Sequence, residues 1–81
     1  MRIVVVEDNV SVAKGIRYFL EDQGHAVDVF FDGAEAAEFL KEDQADIAVL
    51  DISLPGEDGL SILKQMRARG DSRPVLLLTA R

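Results

Sequence analysis

Eighty-one residues, 48% hydrophobic and 30% charged, describe one small globular domain with a thin core. A net charge of −6 excludes a sequence-independent grip on nucleic acid, which needs a basic face. The lack of cysteine excludes a disulfide framework or a thiolate metal site and fits a reducing cytoplasm.

Arg2 to Val6 is a short, almost wholly β-branched run that reads as a buried strand starting right after Met1, with no signal-peptide pattern before it. It stops at Glu7-Asp8-Asn9. From there Val12, Ala13, Ile16, Phe19 and Leu20 fall on one helical face, with Lys14, Arg17, Glu21 and Asp22 elsewhere, and Gly24 supplies a left-handed cap. Ala26-Val27-Asp28-Val29-Phe30 alternates, as a less buried strand at a sheet edge does. His25, the single histidine, is expected to be solvated.

Asp32-Gly33 reads as a turn. Ala34 to Leu40 follows as a short helix burying Ala34, Ala37, Phe39 and Leu40, and Lys41 to Asp46 as a polar loop. Ile47 to Asp51 is the next buried strand, and it ends on a carboxylate followed by Ile52-Ser53-Leu54-Pro55-Gly56. Asp58 is placed to cap a third helix whose apolar face is Leu60, Ile62, Leu63 and Met66, with Arg67 and Arg69 in its last turn. Pro74 opens a fourth strand, Val75 to Leu78, before Thr79-Ala80-Arg81. Arg67, Arg69, Arg73 and Arg81 are read as a solvated basic cluster. No apolar run approaches the roughly 20 residues of a membrane span.

Strands alternating with short helices predict an α/β fold with a parallel sheet, βαβαβαβ. Right-handed crossovers and a flavodoxin-like strand order, 2-1-3-4, set the first and third strands side by side with a topological switch point between them. Glu7, Asp8 and Asp51 then share one crevice at the carboxyl ends of the strands. Carboxylates so close resist ionising together, and a hard divalent cation relieves them. Mg²⁺ is favoured over Ca²⁺, because it accepts one or two protein carboxylates and keeps waters. A backbone carbonyl just past Asp51, at Ser53, is the candidate third protein ligand. For Glu7 and Asp8, capping of the first helix competes with metal binding, and Asn9 is a candidate to share that capping.

Glu7-Asp8 after strand one, Asp51 after strand three, the run Leu54-Pro55-Gly56-Glu57-Asp58-Gly59, and Leu78-Thr79-Ala80-Arg81 together resemble the receiver domain of bacterial response regulators, across residues 1–81. The resemblance implies that Asp51 accepts a phosphoryl group from a sensor histidine kinase, that Glu7 and Asp8 help bind Mg²⁺, and that the Thr79 hydroxyl hydrogen-bonds the phosphoryl group. The ending resembles receivers of the OmpR type, which implies a winged-helix DNA-binding domain elsewhere in the parent protein. Family members continue past the fourth strand with a helix, a fifth strand ending in a lysine, and a fifth helix, so the chain is expected to be about two thirds of a receiver. An exposed fourth strand predicts self-association, by strand pairing or element exchange.

Two other functions compete with a phosphoacceptor signalling module. One is a receiver fragment impaired in phosphorylation that acts as an interaction or assembly module through its fourth strand. The other is a Mg²⁺-dependent phosphatase with Asp51 as nucleophile; it is disfavoured because Ser53 stands where the acid/base aspartate belongs, and no enzyme is expected.

Overall fold

Four β-branched or apolar residues in succession, Ile3 to Val6, leave a strand with no polar face, and such a strand must be covered on both sides. In the computed structural model, which describes residues 1–42 and 45–79, that strand is β1 (Arg2–Val6). It is followed by α1 (Val10–Asp22), β2 (Ala26–Phe30), α2 (Gly33–Glu42), β3 (Ile47–Asp51), α3 (Gly59–Ala68) and β4 (Val75–Leu78). The strands form one parallel sheet in the order β2-β1-β3-β4, the flavodoxin-like arrangement predicted from the sequence.

Alternation divides the core between the two faces of the sheet. Val4, Val6, Ala48 and Leu50 pack under α2 and α3 with Ala36, Ala37, Leu40, Leu54, Ile62 and Met66. Ile3, Val5, Val27 and Val49 face the other way, with Ile16 and Leu20 of α1 against them. Phe30 of β2 and Phe39 of α2 close the first layer at its rim, their ring centroids 4.8 Å apart.

The helix faces depart from the periodic reading in three places. In α1 only Ala13 is buried, with Ile16 and Leu20 half-buried; Val12 and Phe19 are exposed, Phe19 by 65%. Among the described residues α1 has no neighbouring helix on its side of the sheet, so a lone cylinder on a sheet buries the middle of its apolar stripe and leaves the flanks in water. In α2 the inward set is Gly33, Ala36, Ala37 and Leu40, while Ala34 is exposed. The helix begins one residue earlier than expected and continues through Lys41 and Glu42, and the rest of the predicted polar loop at Asp43 and Gln44 lies outside the described residues. In α3 the buried set is Gly59, Ile62 and Met66, with Leu63 half-buried and Leu60 exposed. Both latter helices thus turn a glycine inward at their first position, where the periodic pattern of large apolar residues carries no mark.

At the edges, β2 is an outer strand as its alternation predicted, and Asp28 there receives an exposed ion pair from Arg2 at 2.9 Å. His25 is half-buried rather than solvated, with Nδ1 3.2 Å from the amino group of Met1. The arginines of the 67–73 segment are also not simply solvated. Arg73 donates to the carbonyl oxygens of Leu40 (2.6 Å) and Ala45 (3.3 Å), and through Nε to Asp71 Oδ1 at 3.0 Å. Arg69 reaches the Leu40 carbonyl at 3.3 Å and Asp71 at 3.4 Å. Two guanidinium groups therefore satisfy the carboxyl end of α2, where unpaired carbonyls attract cations, and bolt the segment leading into β4 onto it. Arg81 lies outside the described residues.

Arg73 holds the Asp71 carboxyl well below its ordinary value of 3.8, to about 2. A carboxylate with a depressed pKa in the fold adds stability above its unfolded value, and that stability is lost as pH falls through the folded one. Asp71→Asn is expected to lower stability by about 1–2 kcal/mol at neutral pH in urea denaturation. The gap between variant and parent should close as pH falls from 3.8 toward about 2.

Candidate functional site

Parallel strands in register carry whatever follows them to the same edge of the sheet. Val6 pairs with Leu50, so Glu7 and Asp51 emerge side by side, and the Glu7 N–H donates to the Phe30 carbonyl of β2 at 3.0 Å. Asp8 follows at the surface. Carboxylate oxygens of Glu7, Asp8 and Asp51 all lie within 4.8 Å of one another. Glu7 and Asp51 are only 7% and 5% exposed, while Asp8 is open to solvent.

The three predicted acids are thus brought together, and the capping alternative for two of them falls away. Asn9 caps α1, its Oδ1 accepting the Val12 N–H at 3.1 Å, and Asp58 caps α3, its Oδ1 accepting from Ser61 at 2.8 Å. Glu7 instead accepts the Asn9 N–H at 3.0 Å, and Asp51 Oδ1 accepts the Ser53 N–H at 3.0 Å. The latter bond makes a tight turn immediately after the strand and holds the Asp51 carboxylate at its mouth.

Electrostatically the cluster is under load. Burial pushes the Glu7 carboxyl above its ordinary value, the Asn9 N–H pulls it back in part, and the neighbouring Asp8 and Asp51 carboxyls raise it again. Oxygen-only donors, one of them at the surface, suit a hard divalent cation. Positive charge at this spot would favour the ionised form of Glu7.

The other predicted residues sit around this cluster. Asp51 pairs with Leu78 of β4, and Ile52 N–H donates to the Leu78 carbonyl at 3.0 Å, so Thr79 emerges on the strand beside Asp51 and is exposed. Ser53 is exposed, one turn from the carboxylate it bonds. Sequence reasoning missed Gly59 as part of the site's support. A Cβ built there would lie 2.4 Å from the Asp51 carbonyl oxygen and 3.0 Å from its carbon, so α3 rests directly on the backbone of the central residue. The signal was present as the dipeptide Asp58-Gly59, a cap followed by a residue without a side chain.

The family profile of the response regulator receiver domain matches residues 3–81. Over its whole length the chain is 47% identical to the virulence transcriptional regulatory protein PhoP of Salmonella typhimurium, and it spans 36% of the length of that protein. Among solved structures it superimposes on the receiver domain of the Francisella response regulator 1452 with a TM-score of 0.94 at 33% identity, covering 98% of this chain and 65% of the other. It superimposes on the response regulator TrrA of Thermotoga maritima, solved in complex with Mg(2+)-BeF, with a TM-score of 0.93 at 30% identity, covering 99% of this chain and 70% of the other. Switch-point geometry, carboxylate cluster and profile match agree, and the chain belongs to the receiver domain family of two-component response regulators.

Proposed function

We propose that residues 1–81 form the phosphoacceptor portion, β1 to β4, of a response regulator receiver, and that Asp51 takes a phosphoryl group from the phosphohistidine of a sensor histidine kinase. The observation that carries this reading is the convergence of Glu7, Asp8 and Asp51 within 4.8 Å at the carboxyl ends of β1 and β3. An Asp51 oxygen attacks phosphorus as the P–N bond of the donor breaks, leaving an acyl phosphate on the protein and the imidazole on the kinase. Phosphoryl transfer asks a protein chiefly for position and charge compensation.

The residues divide that work. The Ser53 N–H, bonded to Asp51 Oδ1, orients the nucleophile, and Gly59 lets α3 brace its backbone. Glu7, Asp8, Asp51 and the Ser53 carbonyl would hold Mg²⁺, which supplies the positive charge that three carboxylates and an incoming phosphoryl group require. The Mg(2+)-BeF complex of TrrA supports this cofactor. Thr79, one residue past the β4 partner of Asp51, hydrogen-bonds the phosphoryl group through its hydroxyl. In the parent protein the phosphorylated receiver would control transcription through a DNA-binding domain, as the name of the similar PhoP suggests. A kinase donor of this kind implies a cytoplasmic setting; no helix among the described residues is long and apolar enough to cross a membrane.

β4 has one strand neighbour among the described residues, and its Leu76 is 56% exposed. That open apolar edge supports a second proposal, that two copies of this chain associate through β4 or by exchanging an element.

Incubation with Mg²⁺ and a small acyl phosphate should add one phosphoryl mass to the parent and none to Asp51→Asn, read by intact mass spectrometry; an adduct of equal yield on the variant would overturn the assignment. Because Glu7 is raised by burial and like charge, its ionisation opposes folding at any pH above its folded pKa. Glu7→Gln is therefore expected to raise the melting temperature of the cation-free chain at pH 7, with the gain vanishing below the ordinary glutamate value of 4.5, and to abolish stabilisation by added Mg²⁺. Light scattering after size exclusion should show a dimer at micromolar concentration that Leu76→Lys converts to monomer; a monomeric parent would sink the association.

A further inference from the structure

Two helices in this chain open on the same dipeptide, Asp32-Gly33 at α2 and Asp58-Gly59 at α3. In each, the aspartate accepts an N–H of the first turn: Asp32 Oδ1 from Ala34 at 2.8 Å, and Asp58 Oδ1 from Ser61 at 2.8 Å. In each, the glycine is buried. Gly59 bears on Asp51 itself. Gly33 bears on a different part of the same loop: a Cβ there would lie 1.8 Å from the Glu57 carbonyl oxygen, 2.8 Å from its carbon and 3.4 Å from its Cα. All three are backbone atoms, so no side-chain rotation relieves the overlap. The Asp32 carboxylate continues the seam, with Oδ1 3.7 Å from the position of a Cβ on Gly56.

The segment 52–58 that receives this contact leaves Asp51, carries Ser53 and ends at the α3 cap. Its start is held by the bond from Ile52 to Leu78 and its end by the Asp58 cap, while the glutamate side chain of Glu57 accepts from Gln65 at 2.6 Å. Between these anchors Leu54 is buried in the core, and beyond it the Glu57 backbone rests on the first turn of α2. We infer that Gly33 is a positioning residue for the acidic site: its bare Cα lets α2 seat the 52–58 segment so that Ser53 sits against Asp51. This rests on the roles of Asp51 and Ser53 proposed above. The atoms nearest a Cβ on Gly33 belong to the Glu57 backbone and to none of the three acids, so α2 acts on the site through the loop.

A Cβ at position 33 must displace either the segment or α2. Displacing the segment moves Ser53, and that distinguishes positioning from a loss of packing. Gly33→Ala is expected to keep the parent's far-UV spectrum, to shift the Ser53 and Glu57 amide resonances, and to weaken Mg²⁺ binding, followed by those resonances, about tenfold, as loss of a supporting contact does. Gly15→Ala, in open space, is the control that should leave both unchanged. A second pair keeps the test decisive if Gly33→Ala does not fold. Asp32→Ala and Asp32→Leu both remove the cap at an exposed position, but only leucine adds bulk against Gly56, so only Asp32→Leu should shift Ser53 and weaken Mg²⁺ binding. A folded Gly33→Ala with parental Ser53 resonance and Mg²⁺ affinity, or equal behaviour of the two Asp32 variants, would overturn the inference. Failure of the parent to bind Mg²⁺ or to form the Asp51 adduct would instead overturn the site assignment, since the Ser53 resonance reports the seam without either.

Discussion

Three carboxylates within 4.8 Å of one another, two of them almost fully buried, are the constraint on which the rest of this structure depends. Such a cluster is electrostatically costly, and Glu7 shows it: burial chiefly, and then the neighbouring carboxyls, raise its carboxyl above the ordinary value. A protein retains it only if the surrounding framework is stable without it. Here that framework is two central strands with no polar face, β1 and β3, sealed above and below by separate apolar layers. The acids sit where those layers end, at the carboxyl edge of the sheet where strand order reverses direction. Apolar burial below and carboxylate repulsion above are therefore two halves of one arrangement.

The loop after Asp51 is held by two close backbone contacts as well as by the buried Leu54 side chain. Gly59 places α3 on the Asp51 carbonyl, and Gly33 places α2 on the Glu57 carbonyl. Caps at Asn9, Asp32 and Asp58 satisfy the helix starts locally, which leaves Glu7, Asp8 and Asp51 for another task. At the opposite end of the sheet Arg69, Asp71 and Arg73 close off α2 and lead the chain into β4. Charged residues remote from the site thus carry ordinary structural duties, while those at the site have few. That division supports a chemical role for the cluster.

Much of this was legible along the chain. β1 and β3 were recognisable because fully buried parallel strands are uninterrupted apolar runs, and β2 because Asp28 interrupts its apolar residues in an alternating pattern. The three acids were recognisable because they follow those runs directly. Less legible were the helix faces. Phe19 and Val12 share a periodic stripe with Ile16, yet they are exposed, because the stripe's width says nothing about how many elements cover it. Gly33 reads as part of a turn, and alanines at 34, 36 and 37 mark the helix face too weakly to place Ala36 rather than Ala34 inward. Arg73 read as solvated because its partners, the carbonyls of Leu40 and Ala45, are far away in sequence.

The sequence by itself determined the order of elements, the parallel class of the sheet and the identity of the three acids, because each depends on local patterns of polarity and capping along the chain. Only the tertiary structure decided which flank of each helix meets the sheet, which distant carbonyls Arg73 reaches, and that the loop after Asp51 rests on two glycines. Those depend on distances between residues remote in sequence, and no periodicity within one segment encodes them.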